Sequence, residues 1–338
     1  MIARDRHASI SERRRTMWLQ TRMFLLVALL FAILYGVLTG LGARTGVGGA
    51  YTYLVLAFAF LGIQYLIGPS IVGWTMKVRW VSEAEAPELH RMVTELAEQA
   101  GIPKPKVGVS GLGIPNAFAF GRTKRDGRVC VTEGILRILN RNELRAVLGH
   151  EISHIKHRDM AVITLISAIP LVMYWIAWST MLGGMGGRRQ GGGSAALIGL
   201  GAFVLYFVTN LLVLYGSRIR EYYADLGSVR LGSEPHHMAT ALYKLANGNA
   251  RQRGSQDLKR AEGVRAFFVN DPARAWNEVR QIAQIDRDRN GIIDAGELMA
   301  LRRMEVRLSS TEKMAELFTT HPNMLKRIKH LATLMERA

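Results

Sequence analysis

Four long apolar stretches stand out from the pattern of hydrophobic and polar residues in this chain of 338 residues. They cover residues 23–43, 50–76, 160–182 and 195–216, and none of them contains a charged side chain. Each is long enough for an α-helix to cross the hydrocarbon core of a bilayer, which takes about 20 residues. The pattern therefore predicts two transmembrane hairpins, the second closed by a glycine-rich loop at 183–194. For the second pair of stretches, the alternative is a buried helical hairpin inside a soluble domain.

The segment between the second and third stretches has the pattern of a globular domain. Apolar residues recur at helical spacing over 87–100 and again over 142–158. Residues 106–110, 116–120 and 128–132 alternate as strands do, and the last two are joined by a hairpin turn. The sequence therefore predicts an α+β protein, mainly α, in which about four transmembrane helices carry a domain outside the bilayer.

The charge distribution predicts how the chain sits in the membrane. Lys and Arg number 44 against 27 Asp and Glu, and the formal net charge is +17. The cations concentrate in residues 1–22, in 77–159 and in the chain after 218. Basic segments next to membrane spans stay in the cytoplasm. We therefore expect a multi-pass protein of the cell (inner) membrane, with these three segments on the cytoplasmic side.

Two further classes of function are disfavoured by composition. No basic run is interleaved with aromatic residues in the way that grips single strands, so we predict no nucleic-acid partner. The single cysteine, Cys130, permits neither an intramolecular disulfide nor a cysteine metal cluster. Its strand-like surroundings favour a buried small hydrophobic residue over a nucleophile.

The predicted domain organisation follows these blocks. A basic N-terminus and a transmembrane hairpin are followed by the first part of the outer domain, a second hairpin and three further segments. The boundaries are 1–22, 23–76, 77–159, 160–216, 217–250, 251–310 and 311–338.

The strongest chemical signal is the pentapeptide that begins at His150. His150 and His154 are spaced i, i+4, so on a helix both imidazoles project from one face and can bind one Zn²⁺. Glu151 is placed to act as general base on a zinc-activated water. The helix is N-capped by Asn140 or Asn142. The alternative is a surface helix with two incidental histidines.

A catalytic zinc needs a third protein ligand, and Glu221 is the best candidate. It lies on a predicted helix that begins where the fourth apolar stretch ends. Asp225 is one turn further along and shares its face, where it can fix the tautomer of a ligating imidazole. The alternative for this pair is a solvated charged helix face.

Together these motifs resemble the HtpX-type membrane proteases of the M48 family, relatives of the CAAX prenyl protease Ste24. The resemblance covers about residues 22–331 and occurs in family order. Its motifs are His150 to Asp159, Arg220 to Asp225, Pro115 to Gly121, and Phe318 to Pro322 followed by Arg327 and Ile328.

The resemblance implies a zincin-like metalloprotease domain on the cytoplasmic side. His150, His154 and Glu221 would hold one zinc ion per chain, with Glu151 as general base. The family's activity is endoproteolysis of misfolded or damaged membrane proteins. An unfolded or membrane-protein substrate would bind as an extended chain along the strand formed by Asn116, Ala117, Phe118 and Ala119. An ordinary core hairpin is the alternative for that strand, and the role of His321 is left open.

One segment lies outside the family pattern and reads as an EF-hand loop. The twelve positions from Asp286 to Glu297 place oxygen ligands at the spacing that Ca²⁺ takes, with Mg²⁺ as competitor. The ligands would be Asp286, Asp288, Asn290, the Ile292 carbonyl, Asp294 and Glu297. Helices are predicted on both sides, over 272–285 and 298–308. The alternative is a chance acidic turn between helices, and two arginines inside the loop would weaken binding.

The prediction that fits these observations together is a membrane-bound zinc endopeptidase with a calcium-binding loop. One competitor is a non-proteolytic, metal-binding membrane scaffold with the same fold, which has no need of Glu151. The other is a calcium-sensing membrane adaptor whose histidine pair is incidental.

Overall fold

The computed structural model of the chain describes residues 17–37, 47–185, 192–252, 255–256, 279, 282–304 and 309–335. These residues fold into two compact units. We call the first the sheet unit; within the described residues it contains Gly68–Met160 and the chain from Arg218 onward. The second, the helical unit, contains Thr16–Ile67 and Ala161–Ser217.

The elements follow the chain in a simple order. The helices are α1 (Met17–Val37), α2 (Val47–Thr75), α3 (Pro87–Ala100), α4 (Glu133–Ile138), α5 (Arg141–His157), α6 (Asp159–Ile166), α7 (Ala168–Met185), α8 (Gly192–Arg230), α9 (Pro235–Arg251), α10 (Ala295–Arg303), α11 (Ser310–Leu317) and α12 (Met324–Ala332). The strands are β1 (Val78–Trp80), β2 (Lys106–Ser110), β3 (Ala117–Phe120) and β4 (Arg128–Thr132).

The described residues include four helical segments long and apolar enough to cross a membrane. They are Met17–Val37, Ala57–Thr75, Asp159–Met181 and Leu197–Arg230. Within the helical unit, α1, α6, α7 and α8 bury a shared core that includes Leu30, Ile166, Val172 and Val213. Outward from that core, long apolar side chains such as Phe24 and Phe203 remain exposed, as expected of helices that face lipid.

Three features of these helices differ from the sequence prediction. The first described helix already includes Met17 to Arg22, and the Arg22 guanidinium packs over the Trp18 and Tyr215 rings. The third span is two helices that break at Ser167. The ring of Pro170 excludes a regular helix there, since it would clash with the carbonyl four residues earlier.

The third difference concerns α8. The separate helix predicted after the fourth apolar stretch does not exist, because α8 runs unbroken from Gly192 to Arg230. Gly216 and Ser217 are residues that often end one helix and cap the next, but both lie inside α8, and the helix continues into its charged segment. Residues 186–191 of the predicted loop lie outside the described part of the chain.

The sheet unit is built on a four-stranded sheet of order β1-β2-β4-β3. β2 and β4 pair in parallel, while β1 and β3 pair antiparallel at the two edges. One face of the sheet packs on α3 and α5 through Val107, Ala117 and Val129. The other face carries a smaller cluster that includes Phe118, Cys130 and Met76. Cys130 is fully buried, as its strand-like surroundings predicted.

The predicted elements of this unit are largely confirmed. The helix over 87–100 has the predicted bounds and ends at Gly101, whose φ of 66° is left-handed. Asn140, not Asn142, caps α5, because Glu143 stands at the third position and completes a capping box. β1 was not predicted. Of the helix predicted before the EF-hand-like loop, residues 272–278 and 280–281 lie outside the described residues, as do 305–308 after it.

Candidate active site

The site begins with the two histidines of α5. Their positions one turn apart bring His150 Nε2 and His154 Nε2 to 3.1 Å from each other. His150 is buried, while His154 is partly open to solvent. The two imidazole nitrogens thus face a common point beside the helix.

α8 brings Glu221 to the same point, as the sequence predicted. Its carboxylate oxygens lie 3.6 Å from His150 Nε2 and 3.5 Å from His154 Nε2. The approach of the two helices depends on small residues. A Cβ built on Gly227 of α8 would lie 2.6 Å from Ser153 Cβ of α5, closer than atoms can pack.

Two carboxylates contact the Nδ1 atoms of the histidines, on the side away from the point that the Nε2 atoms share. Asp225 Oδ1 lies 3.0 Å from His150 Nδ1, so the structure brings Asp225 to one of the two histidines. Asp159 Oδ2 lies 2.6 Å from His154 Nδ1, and Arg220 pairs with the same carboxylate. Each imidazole therefore has its Nδ1 held by a carboxylate and its Nε2 turned to the shared point, the arrangement usual for metal-ligating histidines.

Two side chains from the C-terminal segment complete the site, and the sequence did not predict their roles. Arg327 of α12 is buried and donates through Nη2 and Nε to Asp225, at 2.7 and 3.0 Å. Its Nη1 lies 3.1 Å from Glu221. His321 Nε2 lies 3.7 Å from the other oxygen of Glu221. The only signal for them was the motif from Phe318 to Arg327, which carries no spacing rule that ties it to the histidines.

Burial and neighbouring charges set the protonation of the site. Burial alone would lower the pKa of His150, but hydrogen bonds to Asp225 and Glu221 raise it to about 9. Burial, followed by the charge of His150, lowers the pKa of His154 to about 4. The buried Glu221 carboxylate is paired with the Arg327 guanidinium at 3.1 Å. At neutral pH the site therefore offers a neutral imidazole and a carboxylate anion.

This donor set fits one zinc ion. The ligand atoms of His150, His154 and Glu221 lie within 4.8 Å of one another. Two nitrogens bound to a tetrahedral zinc at about 2.0–2.1 Å would lie about 3.3 Å apart, close to the separation of the two imidazoles. Glu221 Oε2 is buried and has no well-aligned hydrogen bond from the described residues, although Arg327 Nη1 lies 3.1 Å away and His150 Nε2 3.6 Å away, so it is free to turn to a metal ion between the imidazoles. Cation binding would also displace the proton that His150 shares with Glu221.

Glu151 lies beside this donor set and under the edge of the sheet. Its side chain is buried and lies beside the backbone of Ala119 in β3. Burial raises the pKa of the Glu151 carboxyl. A carboxylate with raised proton affinity, next to a metal site, has the character of a general base.

The predicted substrate strand is an edge strand, since β3 pairs only with β4 in the sheet. The backbone of Asn116 is already paired, because its N–H donates to Thr132 Oγ1 and its carbonyl accepts the Thr132 N–H, each at 2.9 Å. In an antiparallel pair, the backbone N–H and carbonyl groups of successive residues point alternately to the partner strand and away from it. Those of Phe118, like those of Asn116, therefore point to β4. Ala117 and Ala119 point theirs to the open edge. Of the four predicted residues, therefore, these two present backbone groups there.

Comparison with known proteins assigns the chain to a family. The family model for Peptidase family M48 matches residues 83–335. The chain belongs to peptidase family M48. The match includes α5, the part of α8 with Glu221, and α12 with Arg327. The four apolar helices and this family together make the chain a multi-pass membrane metalloprotease of the M48 family, and the predicted fold class is confirmed.

Relatives of this M48 protein place it in the HtpX group. "Protease HtpX homolog" of Methanothermobacter thermautotrophicus is 56% identical over 234 residues, which are 69% of this chain and 88% of that protein. "Protease HtpX homolog" of Pyrococcus abyssi is 37% identical over 320 residues, 93% of this chain and 95% of that protein. The resemblance to HtpX-type M48 proteases is therefore confirmed.

One solved structure is also similar to this M48 chain. The crystal structure of S. mikatae Ste24p covers 96% of this chain and 66% of its own, with a TM-score of 0.49 and 13% identity. Similarity at this level adds nothing to the assignment.

The EF-hand-like loop of the M48 chain forms a turn in the sheet unit. Carboxylate oxygens of Asp286, Asp288 and Glu297 lie within 4.8 Å of one another. Gly291, at the sixth position, has a φ of 80°, the left-handed value that the sharp turn needs. Asp294 caps α10 by accepting the Glu297 N–H at 2.8 Å, so the exiting helix begins at Ala295 and not at Leu298.

The predicted ligands of this loop also form hydrogen bonds within it, and the carboxylates of Asp286 and Glu297 each accept two backbone N–H groups. Asn290 Oδ1 accepts the Ile292 N–H at 2.7 Å, and Asn290 Nδ2 donates to Asp288 at 2.8 Å. The carboxylates of Asp286, Asp288 and Glu297 are thus the three groups of the loop that converge as side chains on one point.

Proposed function

We propose that this M48 protein is a zinc-dependent endopeptidase in which His150, His154 and Glu221 hold one zinc ion. The observation that carries the proposal is the convergence of these three donors beside the buried Glu151. A scaffold that merely binds metal has no need of a buried carboxylate at that position.

Each side chain of the site has a role that follows from its contacts. Zinc bound there would polarise the scissile carbonyl and lower the pKa of a bound water to about 7. Glu151 takes the proton of the attacking water and returns it to the leaving amine. Asp225 and Asp159 hold the imidazoles by their Nδ1 atoms, so the rings keep their orientation while Glu151 exchanges its proton.

The substrate would bind as an extended strand on the open edge of β3. Ala117 and Ala119 present backbone groups there, and main-chain pairing of this kind accepts many sequences. Such tolerance suits an enzyme that removes misfolded or damaged membrane proteins. That role in quality control rests on the resemblance to the HtpX-type proteases.

We further propose that the protease domain lies on the cytoplasmic side of the cell (inner) membrane. It would be assembled from residues 77–159, 217–250 and 311–338, with 251–310 as an insert. The support is the excess of Lys and Arg in the segments that flank the spans.

The test of the zinc mechanism is the substitution Glu151→Gln. Glutamine keeps the shape of the side chain but cannot accept the water proton, so cleavage of an unfolded membrane protein should fall by at least about 100-fold. Zinc content should stay at the wild-type level, because Glu151 is not a proposed ligand. The assay uses the full chain reconstituted in lipid, with metal content measured by mass spectrometry.

Glu98→Gln, on the exposed side of α3, is the matched control and should cleave like the wild type. Equal cleavage by the Glu151→Gln and wild-type proteins would refute the mechanism and leave the non-proteolytic scaffold as the better account.

We also propose that the loop from Asp286 to Glu297 binds Ca²⁺. Its three converging carboxylates support this, and so does its anchoring: Thr240 Oγ1 donates to the Ile293 carbonyl and accepts the Ile293 N–H, both at 3.0 Å. In this way α9 holds the backbone of the eighth loop position. The ion would stabilise the loop or regulate the enzyme, and it would take no part in catalysis.

Calorimetric titration of the full chain with Ca²⁺ tests this site. We expect saturable binding in wild-type protein, weakened at least tenfold in Glu297→Gln, which loses the bidentate ligand. Affinity should be modest because Arg287 and Arg289 reduce the local negative charge. Absence of binding heat up to millimolar Ca²⁺ would rule the site out.

A further inference from the structure

The face of the sheet turned away from α5 carries a cluster of aromatic and basic side chains at one end. Lys106 Nζ lies 5.7 Å from the centroid of the Trp80 ring. Arg128 Cζ lies 5.9 Å from the same ring and 5.5 Å from that of Phe120. Trp80 is 43% exposed and Lys106 is exposed, so the cluster is open to its surroundings. We call Trp80, Lys106 and Arg128 the basic-aromatic patch.

The other end of the same face is covered by the last turns of a membrane-spanning helix. Val72 and Met76 at the end of α2 are buried against Phe118 and Cys130. Ser110 of β2 donates its hydroxyl hydrogen to the Met76 carbonyl. The chain from Gly68 onward belongs to the same compact unit as the sheet, so this placement is internal to that unit. A membrane span that ends at Thr75 would place this face of the sheet next to the surface of the bilayer.

The composition of the patch suits that location. Trp74, one residue before the end of the span, is 84% exposed. Tryptophan is enriched at the level of the headgroups, and Lys and Arg near the surface are attracted to anionic lipids. Arg128 pairs with Asp126 at 2.9 Å, whereas no described carboxylate forms an ion pair with Lys106. The charge of Lys106 is therefore available to an anion from outside the chain.

We propose that the basic-aromatic patch binds the headgroups of anionic phospholipids in the leaflet next to the sheet unit. Lys106 and Arg128 contact the lipid phosphate, and Trp80 lies among the headgroups with its ring edge. α5 packs on the opposite face of the same sheet. This contact would therefore hold α5, with His150 and His154, at a distance of one sheet thickness from the lipid. The inference concerns the membrane surface and does not depend on the identity of the bound metal or on proteolysis.

The experiment is lysine footprinting on the full chain in lipid nanodiscs. One set of discs contains phosphatidylcholine alone, the other also contains phosphatidylglycerol. An uncharged acylating reagent modifies exposed amines, and mass spectrometry gives the rate at each lysine. We expect Lys106 to react several-fold more slowly in the anionic discs, with the protection lost at high salt. Lys313 of α11, an exposed lysine, should react equally in both.

Equal reactivity of Lys106 in the two lipids would overturn the proposal. Inorganic phosphate added to the neutral discs distinguishes a lipid headgroup from a soluble anion. Protection by phosphate as strong as that by phosphatidylglycerol would also overturn it, in favour of a free-anion site.

A pair of charge-matched variants gives an independent measurement. Phosphatidylglycerol should raise the Tm of the wild-type and Lys313→Gln proteins by the same amount, and should raise that of Lys106→Gln less. The same lipid-dependent rise in all three would contradict a role for Lys106. Both variants remove a single positive charge from an exposed lysine, so a loss of folding would be visible as a lower Tm in neutral lipid.

Discussion

Asp225 is the residue on which the orientation of the first histidine depends. It lies 3.0 Å from His150 Nδ1, and both of its oxygens are engaged by the buried Arg327 guanidinium. The arginine balances the charge of this fully buried carboxylate. The imidazole is thus held by a carboxylate that is itself held in place by an ion pair.

Replacing Asp225 with asparagine should weaken zinc binding by about 10–100-fold, the usual cost of losing a carboxylate partner behind a ligating histidine. The amide keeps the size of the side chain but carries no charge to balance Arg327. Competition with a chelator of known affinity measures the change. Asp126→Asn, in the surface turn between β3 and β4, is the control. Unchanged zinc affinity in Asp225→Asn would show that the carboxylate does not orient the ligand.

At the residue scale, local spacing predicted what lies on one helix turn. His150 and His154 are four residues apart, as are Glu221 and Asp225, so each pair could be placed on a common face from the sequence. Arg327 could not be found in this way, because it reaches Asp225 across 102 positions of the chain. No local pattern encodes a contact of that range.

At the scale of the element, the site depends on how closely α8 approaches α5. The contact is made of small residues: Gly149 and Ser153 on α5, and Gly227 and Ser228 on α8. Ser228 Oγ also donates to the Ala146 carbonyl at 2.6 Å. This close packing is what places Glu221, two turns earlier on α8, within reach of the histidines.

Gly227→Ala should push the two helices apart, because its Cβ would lie 2.6 Å from Ser153 Cβ. Overpacking of this kind costs about 1–3 kcal/mol. We expect a lower Tm together with weaker zinc binding, since Glu221 moves with α8. Gly201→Ala is the control on the same helix, where an added Cβ meets nothing within 4 Å. Full zinc affinity in Gly227→Ala would show that the close contact between α5 and α8 is not needed to place Glu221 at the metal site.

Element boundaries were predictable where the sequence carries its own stop signal. Gly101 ends α3 as expected, and Glu143 decides that Asn140 caps α5. At the end of the fourth span Gly216 and Ser217 look like such a signal but lie inside a continuous helix, so the sequence did not predict that α8 continues into its charged segment. β1 was missed because three residues are too few to show an alternating pattern.

At the scale of the whole molecule, the apolar stretches and the candidate active site belong to different compact units. Apolar stretches form the helical unit, while the two halves of the sheet unit are separated in sequence by a pair of those stretches. That division was predictable from hydropathy. The sequence did not predict that His321 and Arg327 of the C-terminal segment lie at the site. The motif from Phe318 to Arg327 resembles a family signature but does not say which residues it contacts.

The most direct test of the central claim is the zinc content of the purified full chain, measured beside that of Glu221→Gln and Glu98→Gln. We predict one zinc per chain in the wild type and in Glu98→Gln, and a loss of most of the metal in Glu221→Gln, because two imidazoles alone hold zinc weakly. Wild-type protein that folds and carries no zinc, or a Glu221→Gln protein that retains it fully, would contradict the account.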